Sequence, residues 1–216
     1  MTGINNSAAG KIFKNGILTS NPVVIGALGL FPIVSAGTSL KRGVMLSLLM
    51  LITMPSVCIL TAMFGKLFAK WIRAAFYVIM TSLILVPSAI LLSAVLPVPQ
   101  NFLALFIPLL SVNAIISYRC EKFAVNHRTG KAALDGLANA IGFALVMCLV
   151  SAVREIFGSS TVWDIPVLFD RHIDGFLLPF GGFIILGFMS AILKQIIIYS
   201  SDKNAPIDLD GGEDID

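Results

Sequence analysis

Charge is what this sequence has least of. Only 12% of its 216 residues are Asp, Glu, Lys or Arg, while 57% are hydrophobic, against roughly a quarter charged in ordinary soluble domains. So few charges cannot cover a water-facing surface, and a mean hydropathy of +0.92 makes lipid the solvent for most of the chain. Cysteine is nearly as scarce. Cys58, Cys120 and Cys148 form no CxxC pair, no Cys/His cluster and no even-numbered framework, so neither a zinc site nor a disulfide-stapled secreted scaffold is implied. Cys58 and Cys148 lie inside apolar runs and read as small buried hydrophobes. Cys120 follows Arg119 at a loop edge and can face solvent. His127 and His172 have no carboxylate or cysteine at catalytic spacing, and no glycine loop has phosphate-binding spacing, so no soluble catalytic constellation is recognisable. No run of Lys or Arg alternates with exposed aromatics, and no nucleic-acid partner is expected.

Long uncharged runs are what the sequence has instead: 21–40, 43–65, 74–118, 136–153 and 175–193. A helix needs about 20 residues to cross a hydrocarbon core of about 30 Å, so the run 74–118 holds two spans. It folds back at Leu96-Pro97-Val98-Pro99-Gln100-Asn101, where two prolines and an asparagine are turn chemistry. The pattern predicts an all-α integral membrane protein with six transmembrane helices at 22–38, 42–65, 71–96, 100–118, 132–157 and 176–200. The first 20 residues hold no continuous apolar core followed by a small-residue cleavage site, so no cleaved signal peptide is expected.

The first and fourth helices each carry an internal proline, Pro32 and Pro108, and are expected to be broken. Backbone without partners at membrane depth is tolerated only where protein or a watery cavity covers it. "LGLFPIVSAG" in the first helix is matched by "LFIPLLSVNA" in the fourth, each followed by a basic loop and a long helix. Units of three helices invert the second relative to the first, predicting a 3+3 inverted-topology repeat. Repeat one is expected over 21–97 and repeat two over 98–200. With the N-terminus inside, the inner loops carry eleven basic residues, Lys11, Lys14, Lys66, Lys70, Arg73, Arg119, Lys122, Arg128, Lys131, Lys194 and Lys203. The outer loops carry four, Lys41, Arg42, Arg154 and Arg171. Both termini are therefore expected in the cytoplasm: residues 1–20 as a cytoplasmic segment, and 201–216, rich in Asp and Gly, as a disordered acidic tail.

Ionisable residues inside spans mark function in membrane proteins because burying charge in lipid is costly. Here they are few. Asp135 lies near the start of the fifth helix, Arg154 and Glu155 near its end, and Lys194 near the end of the sixth. All can reach the interface as anchors; Asp135, Arg154 and Glu155 are also the candidates for an ion path. The broken helices offer another kind of site, since half-helix ends present unpaired backbone groups that can bind an ion or hold a cofactor. Asn21 before Pro22 can cap the first helix, and Asn113 follows Pro108; hydrogen bonding to freed backbone and ligand contact are both open to them. Cys58 and Cys148 are 90 apart, as are Lys41 and Lys131, which suggests equivalent positions in the two repeats and a remote metal-ligand role.

"NPVVIGALGLFP", "IPLLSVNAI", "YRCEKFA", "ALDGLANAIGFALVMCLVSAVREIFG" and "LLPFGGFI" together resemble the membrane subunits of the Rnf and Nqr ion-translocating electron-transport complexes, of the type called E in Rnf and D in Nqr, from residue 21 to about 190. The most specific piece is Asp135-Gly136, Gly142-Phe143, Arg154-Glu155-Ile156 and Gly158 on one helix. The resemblance implies membership of a complex in a bacterial or archaeal cytoplasmic membrane, paired with a homologous membrane subunit of opposite topology and assembled with other Rnf/Nqr-like subunits. It also implies an iron–sulfur cluster shared with that partner, two cysteines coming from the broken helices of each. Here Leu30-Phe31-Pro32 and Asn113-Ala114 stand where the family has Leu-Cys-Pro and Asn-Cys, and neither Phe31 nor Ala114 can ligate iron. The expectation is a subunit of a complex coupling electron transfer to translocation of sodium or protons, not catalytic alone and without ligands of its own for the cluster. The alternatives are a cluster-free transporter or transporter subunit, and a structural scaffold; Asn21, Pro22, Gly29, Pro32, Pro108 and Asn113 mark the breaks in each case.

Overall fold

Proline and glycine decide where the helices of this chain start and stop. The structure, a computed structural model, describes residue 23 and residues 26–96, 98–163, 165–166 and 173–202. Seven α-helices occur among them: α1 (Leu30–Ala36), α2 (Leu40–Phe64), α3 (Lys70–Val95), α4 (Gln100–Ser111), α5 (Ala114–Lys122), α6 (Thr129–Ser159) and α7 (Pro179–Asp202). Four stretches are long and apolar enough to cross a membrane, Leu40–Leu67, Lys70–Val95, Asn101–Asn126 and Thr129–Ser159. They are the second to fifth spans; α4 and α5 together make the fourth. Helix α7 supplies the sixth span and α1 is the described part of the first. The protein is thus an all-α membrane protein. One two-residue hairpin, Thr161–Val162 against Ile165–Pro166, closes the loop after α6. The expected terminal segment 1–20 and residues 203–216 of the expected tail lie outside the described residues.

Helices α2 and α6 form the centre. Met45, Leu46, Leu49, Met50 and Met54 of α2 and Phe143, Val146, Met147 and Val150 of α6 are all buried. Lipid tails are as apolar as these side chains, so the pair is held by close packing rather than by escape from water. Small residues permit it. A Cβ added to Gly43 would sit 2.3 Å from Ser151 Oγ, and one on Gly136 would sit 2.9 Å from Pro55 Cα and 3.1 Å from Cys58 Sγ. Between these contacts Ser47 Oγ lies 3.6 Å from Cys148 Sγ. Partner numbers fall on α6 as they rise on α2, so the two run antiparallel. A shift of 93 carries Gly43 to Gly136 and Cys58 to Ser151 (136 minus 43, and 151 minus 58), exchanging one contact for the other. That exchange is what an inverted repeat requires. It also sets Cys58 opposite Ser151 in the repeat, where a shift of 90 would have matched it to Cys148.

The remaining helices wrap this pair. Helix α3 packs on α2 and α4 and leaves Ile79, Leu83, Ile90, Leu91 and Val95 exposed, a lipid-suited face. Both expected breaks are present, but beside the prolines rather than at them. In the first span the chain turns at 26–29, with Ala27 and Gly29 at φ +50° and +67°, before α1 begins. Pro32 is then the third helical residue, where its missing N–H would have had no partner in any case. In the fourth span α4 runs through Pro108 to Ser111, and the break falls at Val112–Asn113. Ser111 Oγ donates to the Pro108 carbonyl at 2.6 Å.

Candidate functional site

The two breaks meet. A Cβ on Gly29 would lie 3.0 Å from Asn113 Oδ1 and 2.6 Å from Ile115 Cδ1, and its positive φ is strained for any other residue. Asn113 caps α5: its Oδ1 accepts the backbone N–H of Ile115 at 3.0 Å, supplying one of the partners a helix N-terminus lacks. Its side chain is only 4% exposed, and Nδ2 has no hydrogen-bond partner. Inside, then, are a glycine and a half-satisfied asparagine. Outside are Phe31 at 63% exposure, Val112 at 64% and Ala114. The positions matched to the family's cysteines therefore stand on the surface, one residue beyond Asn113 and two beyond Gly29. Asn21 and Pro22 lie outside the described residues.

An iron–sulfur cluster needs thiolates, and the side chains at this place do not fit one. Phe31 and Ala114 offer no donor, and the cysteines are elsewhere: Cys58 on α2 against Gly136 of α6, Cys120 on α5, Cys148 on α6 beside Ser47. Among the described residues no three His, Cys, Asp or Glu side chains are grouped as a metal would need. Cys58 and Cys148 do not face each other. Cys120 is fully buried within α5, not solvent-facing at a loop edge.

The charged residues of α6 are not interfacial anchors. Asp135, Arg154 and Glu155 are all buried, whereas Lys194 on α7 is exposed. Arg154 is 0% exposed and holds four backbone carbonyls: Nη1 donates to Val34 at 2.5 Å, Nε to Phe176 at 2.9 Å, and Nη2 to Leu177 at 2.7 Å and Leu178 at 3.1 Å. Next to it, Glu155 Oε2 accepts the Leu40 N–H at 2.5 Å and Oε1 the Thr161 hydroxyl at 3.3 Å. Val34 is in the last turn of α1 and Leu40 is the first residue of α2. A cation thus meets the carbonyl end of one helix and an anion the N–H end of the next, which matches the sign of each helix end. Thr38, Ser39, Arg42, Glu155, Ser159, Thr161 and Leu177 line a cavity of about 270 Å³ there.

Asp135 sits twenty residues earlier on α6, about 30 Å away at 1.5 Å per residue. Its two oxygens are held by Arg119 of α5, through Nη2 and through Nε at 3.0 Å. The structure therefore places the three candidate ion-path residues at opposite ends of one helix. Sequence reasoning missed Arg119, which read only as a loop charge, and missed that Arg154 is bound to backbone. The inverted repeat carried a usable signal for Arg119, because it lays α5 across the start of α6.

Known proteins agree with this arrangement. Residues 9–190 match the family described as Rnf-Nqr subunit, membrane protein. The E component of the "Ion-translocating oxidoreductase complex" of Haemophilus influenzae is 30% identical, covering 86% of each chain. The protein of the same name from Shewanella loihica is 30% identical over 84% of each. The E component of the "Proton-translocating ferredoxin:NAD(+) oxidoreductase complex" of Clostridium ljungdahlii is 26% identical over 85% of this chain and 87% of its own. With its six-span architecture and its family match over most of its length, the chain belongs to the Rnf-Nqr family of membrane subunits.

Proposed function

We propose that this chain is a membrane subunit of an ion-translocating oxidoreductase complex, contributing a helical half of the electron and ion machinery without ligating a cluster of its own. The observation that carries the reading is the family match over residues 9–190, and the relatives' names supply the kind of complex. In this reading the surface formed by Phe31, Val112 and Ala114 faces a homologous membrane subunit of opposite topology, and residues 21–97 and 98–200 are the two repeats. Both termini lie on the cytoplasmic side of a bacterial or archaeal membrane, as the eleven-to-four distribution of Lys and Arg favours. The translocated ion is sodium or a proton. Glu155, which borders a polar cavity, is the better candidate for ion access than Asp135, whose oxygens Arg119 occupies.

The test is purification of the tagged chain from its native membranes. A second Rnf-Nqr-type membrane protein and redox-cofactor subunits are expected with it. Recovery of the chain alone, with solute uptake into liposomes in the absence of any electron donor, overturns the reading in favour of a transporter. Replacing Phe31 by a photoreactive phenylalanine analogue maps the surface directly: light should join the chain to the second membrane protein, and labelling of lipid alone rejects that surface as the contact.

A further inference from the structure

Cysteine is rare and dispersed in this sequence, yet two of the three meet. Cys58 and Cys120 are 62 positions apart (120 minus 58), both are fully buried, and their thiol groups interact directly across the α2–α5 interface. Both are free thiols. Their surroundings are tight and polar by membrane standards. Arg119, next to Cys120, is bound to Asp135; Gly136 leaves a Cβ position only 3.1 Å from Cys58 Sγ; and Thr61, one turn beyond Cys58, has a buried hydroxyl with no hydrogen-bond partner. Cys148, by contrast, lies beside Ser47.

We propose that Cys58 and Cys120 form a peroxide-responsive dithiol that closes to a disulfide. One thiol sulfur attacks hydrogen peroxide, the O–O bond breaks, and a sulfenic acid and one water result. The second thiol displaces the sulfenic hydroxyl, forming the S–S bond and a second water. Two S–H bonds and one O–O bond are lost; two electrons pass from the sulfurs to the peroxide oxygens, and both thiol protons end in water.

Three observations favour this pair. A disulfide demands side chains already directed at each other, with sulfurs closing to about 2.05 Å, and these two already interact. The shift needed can come from α5, a nine-residue half-helix that begins at the Asn113 break, rather than from α2, fixed along its length against α6. Burial inside a membrane bundle excludes glutathione and other charged thiols, whereas peroxide is small and uncharged. It enters where larger oxidants cannot, and once closed the bond is shielded from soluble reductants. The disulfide would tie α5 to the centre of the molecule and fix the helix that starts at Ala114. The proposal does not depend on which assembly the chain joins.

Membranes containing the full native assembly are treated with hydrogen peroxide, denatured, alkylated and analysed by mass spectrometry. Two of the three thiols should escape alkylation, the chain should be about 2 Da lighter before labelling, and one peptide should link the segments holding Cys58 and Cys120. Dithiothreitol after denaturation should reverse all three signs, while Cys148 stays alkylated. In Cys58→Ser the linked peptide should vanish and Cys120 should become alkylatable or overoxidised; Cys148→Ser should change nothing. Full alkylation of Cys58 and Cys120 after peroxide, sulfinic acid at either without a link in the wild type, or linkage through Cys148 overturns the proposal. Because the first measurement uses the unaltered protein, a variant that fails to fold cannot obscure it.

Discussion

Helix α6 carries charge at both ends, and the two ends handle it in opposite ways. At the start, Asp135 and Arg119 satisfy each other, side chain to side chain. At the finish, Arg154 and Glu155 are neighbours in sequence but turn to different backbone groups: four carbonyls for the cation, and the Leu40 N–H with the Thr161 hydroxyl for the anion. A pair of side chains can be lost together with modest harm, because neither charge is left behind. A charge that holds backbone has no partner that can be removed with it. The finish of α6 should therefore be the less forgiving end.

The largest effect is expected from Arg154→Leu. It strands the carbonyls of Val34, Phe176, Leu177 and Leu178, and buried polar groups left unmade cost about 1–3 kcal/mol each before relaxation. A net loss of about 3–5 kcal/mol is reasonable for a buried, fully engaged charge. It should appear as a sharp fall in protein recovered from membranes and in thermal stability in detergent. Arg154→Lys should recover only part of the loss, since a single ammonium cannot reach carbonyls on both sides of the fork. Wild-type stability in Arg154→Leu would show that the carbonyl clamp is not what joins α1 to the 176–178 turn.

The opposite end calls for a double-mutant cycle. Asp135→Ala alone leaves Arg119 without its carboxylate and is expected to cost about 2–3 kcal/mol. Adding Arg119→Ala should return a good part of that, with a coupling energy of about 1–3 kcal/mol. Strict additivity would break the comparison, because it would mean that the two groups do not depend on each other. The cycle is read from unfolding in detergent or from steady-state levels in membranes.

The sequence made the spans legible because their signal is composition. An uncharged run of twenty or more residues has few interpretations, and the repeat followed from where the runs broke. Break positions were less legible. Proline marks a helix that cannot continue its ladder, yet Pro32 falls where a first-turn residue needs no ladder and Pro108 is absorbed into α4; the breaks rest on Gly29 and Asn113, whose backbone angles no composition reveals. The charges on α6 were the hardest to place. Nearness to a helix end suggested an interface, but Arg154 is sealed by a turn 22–24 residues further along the chain, and no local pattern records that. The Cys58–Cys120 meeting belongs to the same class of long-range fact.

A smaller effect is expected at Glu155, and it separates charge from hydrogen bonding. Glu155→Gln keeps an oxygen for the Leu40 N–H and a second group for Thr161, so the loss should be about 1 kcal/mol or less. Glu155→Ala removes both and should cost about 2 kcal/mol. If Gln behaves like Ala in stability, the negative charge itself is needed beside Arg42 and the α2 N-terminus, and the finish of α6 is more electrostatic than its geometry suggests. If Gln is stable but ion transport by the assembly falls, Glu155 serves transport and not only the turn.

The smallest effect on stability is expected at Phe31→Ala, and its size carries the information. Phe31 is more exposed than most large apolar side chains in the molecule, and substitutions away from packed or hydrogen-bonded features usually stay within about 0.5 kcal/mol. In the isolated chain, thermal stability should hardly move. Within an assembly the same ring should be covered, and truncating a buried aromatic contact at an interface commonly costs more than about 1 kcal/mol, so the yield of the co-purifying membrane protein should fall. Arg154 tests how the chain holds itself together; Phe31 tests whether the surface at the breaks has a purpose beyond the chain. Equal, negligible effects in both settings would leave that surface to lipid, and would move the contact with any partner away from the place where Gly29 and Asn113 bring the two half-helices together.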